Sequence, residues 1–150
     1  MGLSARRFQQ QRLKFLERFE RFLECAAEQI RFSAMPAAQL LQELATMSEF
    51  TEFSLLQAVA GKKDFRTAWQ LALDRSGKKI GLSAEEQDLL ADFMNGFGKT
   101  DVVGEVRYCE QYRLLVNKRL ETVREEVRSR GRLYVTLGFC GGGMAGLLLL

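Results

Sequence analysis

A single proline, Pro36, interrupts 150 residues, and only eight glycines precede position 133. Over that stretch apolar residues recur every three or four positions, the period of a helix face, and no segment alternates in the manner of a half-buried strand. The chain is therefore expected to be all-α. The first helix, over about Ala5 to Phe32, places Phe8, Phe15, Phe19, Phe22, Ala26 and Ile30 on one stripe, widened by Leu16, Leu23 and Ala27. Such a stripe must be covered by other helices. Pro36 opens a second helix through Met47 with Leu40, Leu41 and Leu44 inward, because a proline at a helix start gives up no hydrogen bond. A short third helix is expected from Ser48 to Ala60, ended by Gly61, with Phe50 and Phe53 packed in the core together with Phe32.

Asp64 is suited to cap a fourth helix that buries Phe65, Ala68, Trp69, Ala72 and Leu73 and stops at Ser76-Gly77. Ser83 followed by Glu86 forms a capping box for a fifth, with Leu89, Leu90, Phe93 and Phe97 on its apolar side and Gly96 and Gly98 ending it. Asp101 then caps a long last helix whose seam reads Val102, Val106, Cys109, Val116, Leu120, Val123 and Val127, broken by Arg113. The fold class that follows is an antiparallel bundle of about six helices over residues 1–132.

Residues 133–150 have a different character. LYVTLGFCGGGMAGLLLL is eighteen positions without a charged side chain, preceded by Arg128, Arg130 and Arg132. An apolar run flanked by arginines predicts a membrane helix with the basic side in the cytoplasm. At about 1.5 Å per residue it extends about 27 Å, just short of a hydrocarbon core of about 30 Å. If Gly131 leaves the last helix intact, that helix feeds directly into the span. Gly138, Gly142 and Gly146 fall four apart on one face of it, a small-residue stripe that lets a second helix backbone approach closely.

Charge is distributed to match. Residues 1–32 carry seven basic and four acidic side chains, 33–101 seven and ten, and 102–132 eight and five. Glu121, Glu125 and Glu126 interleave with the arginines of the last helix, which argues against a nucleic-acid surface. Three scattered cysteines and no histidine exclude a disulfide framework or a His-containing zinc site. Cys140 is read as a small apolar residue of the span. No apolar segment follows Arg6 and Arg7 to make a signal peptide, and position 6 lacks the Ser or Thr of a myristoylation site.

Catalytic signals are weak. Gly98-Lys99-Thr100 has the closing residues of a phosphate-binding P-loop, but Phe93 stands where the motif requires its first glycine, and no strand leads into the turn. Carboxylate pairs such as Glu85-Glu86 and Glu125-Glu126 are expected on solvated faces. No enzyme activity, cofactor, metal or small-molecule substrate is predicted.

The turn Gly96-Phe97-Gly98-Lys99-Thr100-Asp101 opening the long helix, and the segment Arg132-Leu133-Tyr134-Val135-Thr136-Leu137-Gly138-Phe139-Cys140-Gly141-Gly142 leading to a leucine-ended terminus, resemble stage III sporulation protein AB of endospore-forming bacteria. That family has a comparable LGxSD-like turn and a Lys-Leu-Tyr-x-x-Leu-Gly start to its last membrane helix. The resemblance implies a domain similar to the cytoplasmic domains of type II secretion and pilus platform proteins. It also implies a place in the channel complex between mother cell and forespore, beside an ATPase and other membrane subunits. Two departures stand out. Family members normally begin with a membrane helix, whereas Met1-Gly2-Leu3-Ser4-Ala5 leads at once into Arg6-Arg7, and Arg132 replaces the usual lysine. The competing expectation is a tail-anchored adaptor whose bundle captures a soluble partner outside any channel.

Overall fold

The structure, a computed structural model, describes the backbone of residues 2–139 and the side chains of residues 9–129. Among the described residues it contains six α helices and no strand: α1 (Gly2–Ser33), α2 (Ala37–Ala45), α3 (Ser54–Val59), α4 (Phe65–Ile80), α5 (Ala84–Gly96) and α6 (Val102–Phe139). α1 and α6 share the most extensive contact, and α4 and α5 complete the bundle around them. The stripe read on α1 is the centre of the core from Phe15 to Ile30, and the side chain of Phe8 lies outside the described residues. Phe19, Phe22, Trp69 and Phe93 form an aromatic cluster with ring centroids 5.5–6.3 Å apart. The indole of Trp69 keeps its polar edge satisfied by donating to the Leu90 carbonyl at 3.0 Å.

Local chemistry sets the helix ends. The Asp64 side chain accepts from the Thr67 N–H, Ser83 and Glu86 exchange both bonds of a capping box, and Asp101 accepts from the Gly104 N–H at 2.8 Å. Ser76-Gly77 does not stop α4. The helix runs to Ile80, and Gly81, at φ 85°, supplies the left-handed residue that ends it. Its N–H and that of Leu82 both return to the Gly77 carbonyl, and Leu82 is buried. Burial of Leu82 beyond Gly81 sets the true end.

The expected third helix is two pieces, a 3₁₀ turn over Ser48–Phe50 and α3. Side chains compete for the backbone there: the Thr51 hydroxyl donates to the Ser48 carbonyl and the Gln57 amide to the carbonyls of Phe50 and Ala45. Phe50 and Phe53 are fully buried, as expected, but Phe32 is 84% exposed. It lies in the last turn of α1, past Ile30, the last residue of that helix packed in the core. Val102, expected on the seam of α6, is likewise exposed. α6 itself passes through Gly131 without a break.

Candidate functional site

α1 and α6 run antiparallel, and a ladder of ion pairs records their register. Arg31 meets Glu110 at 2.9 Å, Glu20 meets Arg113 at 2.8 Å, Glu17 meets Arg124 at 3.4 Å, and Arg12 meets Glu126 at 3.0 Å. Arg113, the break in the apolar seam, is thus filled by Glu20 and Glu24 of the facing helix. The antiparallel pairing gives the bundle two poles. At one, here the base, α1 begins and Val127 is the last described residue of α6 packed against the core. At the other, the apex, α1 ends, α5 ends and α6 begins.

The base is organised by Glu86, whose side chain is completely buried. Arg12 grips it with two hydrogen bonds, Nε to Oε1 at 2.8 Å and Nη2 to Oε2 at 2.5 Å, and Arg119 donates Nε to Oε2 at 2.5 Å. Ser83 N–H adds a fourth at 3.1 Å. Burial alone would push the Glu86 carboxyl up, but the bonds from Arg12, Arg119 and Ser83 reverse that and bring it down to about 2. Its position in the first turn of α5 adds the favourable end of the helix dipole. The expectation that Glu85-Glu86 forms a solvated face therefore fails for Glu86, because three helices close over it. Arg12 is the functional-site residue that pattern reading passed over. Its signal was a charge on an apolar stripe, three residues ahead of Phe15.

At the apex, the N–H groups of Gly98, Lys99 and Thr100 converge on a single anion, the buried Glu105 side chain, at 3.0, 2.9 and 2.9 Å. The Thr100 hydroxyl donates to it as well, at 3.2 Å. Three converging amides are the geometry that a phosphate-binding turn needs. Here a carboxylate of the same chain fills it. Gly98 is at φ 80° and a Cβ there would stand 2.8 Å from Ala37, so the turn packs backbone-close on α2. Beside it a cleft of about 370 Å³ is bordered by Met35, Pro36, Phe97 and Val102. Its rim includes Ala34, a non-glycine residue at φ 49°. Phe32 and Val103 are exposed at the same pole.

Beyond the base, α6 continues through the predicted basic flank. Arg128 is paired with Glu125 at 3.3 Å, and Arg130 and Arg132 fall on the helix with their side chains outside the described residues. Residues 133–139 of the expected span continue α6, Gly138 included. Gly142 and Gly146 lie outside the described residues, so the glycine face is not on view. No helix among the described residues is long and apolar enough to cross a membrane. Nor does any cluster among them offer metal-ligating geometry. The Cys109 thiol is pushed up to about 12 by burial.

The class defined by these features is an all-helical bundle whose final helix is also its longest among the described residues. A family model, stage III sporulation protein AB (spore_III_AB), matches residues 1–150. The chain belongs to that family and is a sporulation protein. No curated protein and no solved structure gives a significant match.

Proposed function

We propose that this protein is a non-enzymatic platform of a sporulation channel, held to the mother-cell membrane around the forespore by residues 133–150 with its bundle in the cytoplasm. The observation that carries this reading is the continuity of α6, one helix from the Asp101 cap to Phe139, which takes in the basic flank and the first residues of the apolar run. A helix without a hinge transmits the orientation of the membrane segment to the bundle. The ion-pair ladder and the Glu86 cluster fix α1 and α5 to that helix, so the whole bundle is oriented with it. The apex then faces away from the bilayer and offers its cleft, with Phe32 and Val103 alongside, to the cytoplasmic ATPase of the channel. The glycines at 138, 142 and 146 meet another membrane subunit or a second copy of this chain.

The test is purification of the tagged, full-length chain from detergent-solubilised sporulating cells. Recovery of an ATPase and of further membrane subunits is expected, together with retention of the chain in membranes washed with alkaline carbonate. Recovery of a soluble partner alone would favour the adaptor. Release by carbonate would remove the anchor.

A further inference from the structure

The hairpin that joins α4 to α5 turns at the base. A Cβ on Gly77 would stand 2.9 Å from the Gln87 side chain, so the last turn of α4 lies against the first turns of α5. Glu86 of α5 is held by Arg12, and Arg12 also meets Glu126 of α6 at 3.0 Å. The end of α4 and Glu126 therefore share one level of the bundle. Gly81 reverses the chain there, and the last turn of α4 carries Lys78 and Lys79, both exposed. Lys14, two residues past Arg12 on α1, is exposed at the same level.

These three cations have no counter-charge around them. Positions 1–16 and 75–83 contain no acidic residue. Glu85 and Glu86 are engaged by Arg119, Glu125 by Arg128, Glu126 by Arg12 and Glu17 by Arg124. Asp88 follows Glu86 toward the apex, and Glu121 stands more than a turn before Glu126. Leu133, the first residue of the apolar run, comes seven residues after Glu126 in the same helix, a rise of about 10 Å. A headgroup layer of about 5–8 Å covers each side of a hydrocarbon core, and the flexible stem of a lysine spans what remains. We infer that Lys14, Lys78 and Lys79 meet the phosphates of anionic lipids, an assignment that rests on the anchoring proposed above and brings α1 and α4 to the bilayer. Their pull acts off the axis of α6 and holds the base of the bundle to the leaflet.

The test is acetylation of the lysines by acetic anhydride, an uncharged reagent, read residue by residue by mass spectrometry. The full-length chain is reconstituted in nanodiscs of phosphatidylcholine alone or with about a third phosphatidylglycerol. An anionic leaflet favours a nearby ammonium by roughly fivefold and only the free amine reacts, so Lys14, Lys78 and Lys79 should react about fivefold more slowly in the anionic discs. Lys62 and Lys63, exposed at the opposite end of α4, should react alike in both. Inorganic phosphate added to the neutral discs should not reproduce the slowing. Equal rates in the two lipids, in a chain that resists carbonate extraction, overturn the contact and leave the anchor intact. Lysines that merely complement the dipole of α4 would give that result. Slowing shared by Lys62 and Lys63, or reproduced by free phosphate, overturns the contact equally. A chain that fails to insert defeats both readings.

Discussion

Two buried carboxylates mark the two poles, and they are satisfied in opposite ways. Glu86 at the base draws its partners from helices far away in sequence, Arg12 on α1 and Arg119 on α6, with only Ser83 nearby. Glu105 at the apex is satisfied within seven residues, by the N–H groups of Gly98, Lys99 and Thr100. One carboxylate joins three helices, and the other shapes one turn. Loss of the first should therefore be felt globally and loss of the second locally.

The largest effect should come from Glu86→Ala, which removes the buried carboxylate between Arg12 and Arg119 and leaves them only the more exposed Glu126 and Glu85. Breaking one side of a buried pair costs about 3–5 kcal/mol. Urea unfolding of the full-length chain in detergent should show that loss, and R12L/E86L should recover much of it. A double variant as unstable as E86A would mean the cluster contributes net stability and not register alone.

Acid should act through the same residue. The Glu86 carboxyl lies at about 2 in the folded chain against an ordinary 4.5, so folding favours the ionised form. The corresponding stability, roughly 3 kcal/mol, is fully present above about pH 5 and is lost as pH falls toward 2. In E86Q, stability measured across that window should be flatter.

Glu105→Ala should cost less, about 1–3 kcal/mol, because the freed amides border an open cleft and regain water. Its exchange signature should be faster exchange at residues 98–100 with the base unchanged. Acceleration at the base would show that the poles are coupled. The smallest effect belongs to Glu110→Ala, which removes a half-exposed pair with Arg31 and should shift stability by about 0–1 kcal/mol in a thermal melt.

The sequence carried most of the helical architecture because its signals are local. Apolar spacing on α1, the Asp64, Ser83 and Asp101 caps and the unbroken pattern of α6 all act within a few residues. The errors fall where side-chain bonds and burial, not apolar spacing, decide. Ser76-Gly77 reads as a stop until Leu82 is seen buried, and Ser48 to Ala60 reads as one helix until the Thr51 and Gln57 side chains claim its carbonyls. Glu86 reads as solvated because nothing nearby reports that Arg12 and Arg119 fold over it. Yet Arg113, noted as a break in the seam of α6, stands where a cross-helix pair forms, and Arg12, passed over, carries the same kind of signal on α1. The basic flank at 128–132 and the glycine spacing were legible as pattern, but their use depends on lipid and partners that no single chain encodes.

The unbroken course of α6 also sets a length. From Val102 to Arg132 the helix rises about 45 Å, so in the anchored arrangement the apical cleft is held at a fixed height above the bilayer. A soluble machine engaging it must stand tall enough, or extend an arm far enough, to meet a contact point that cannot descend. The helix is in that sense a ruler, and inserting or deleting two turns between the base and Leu133 would change the gap it measures without touching either pole.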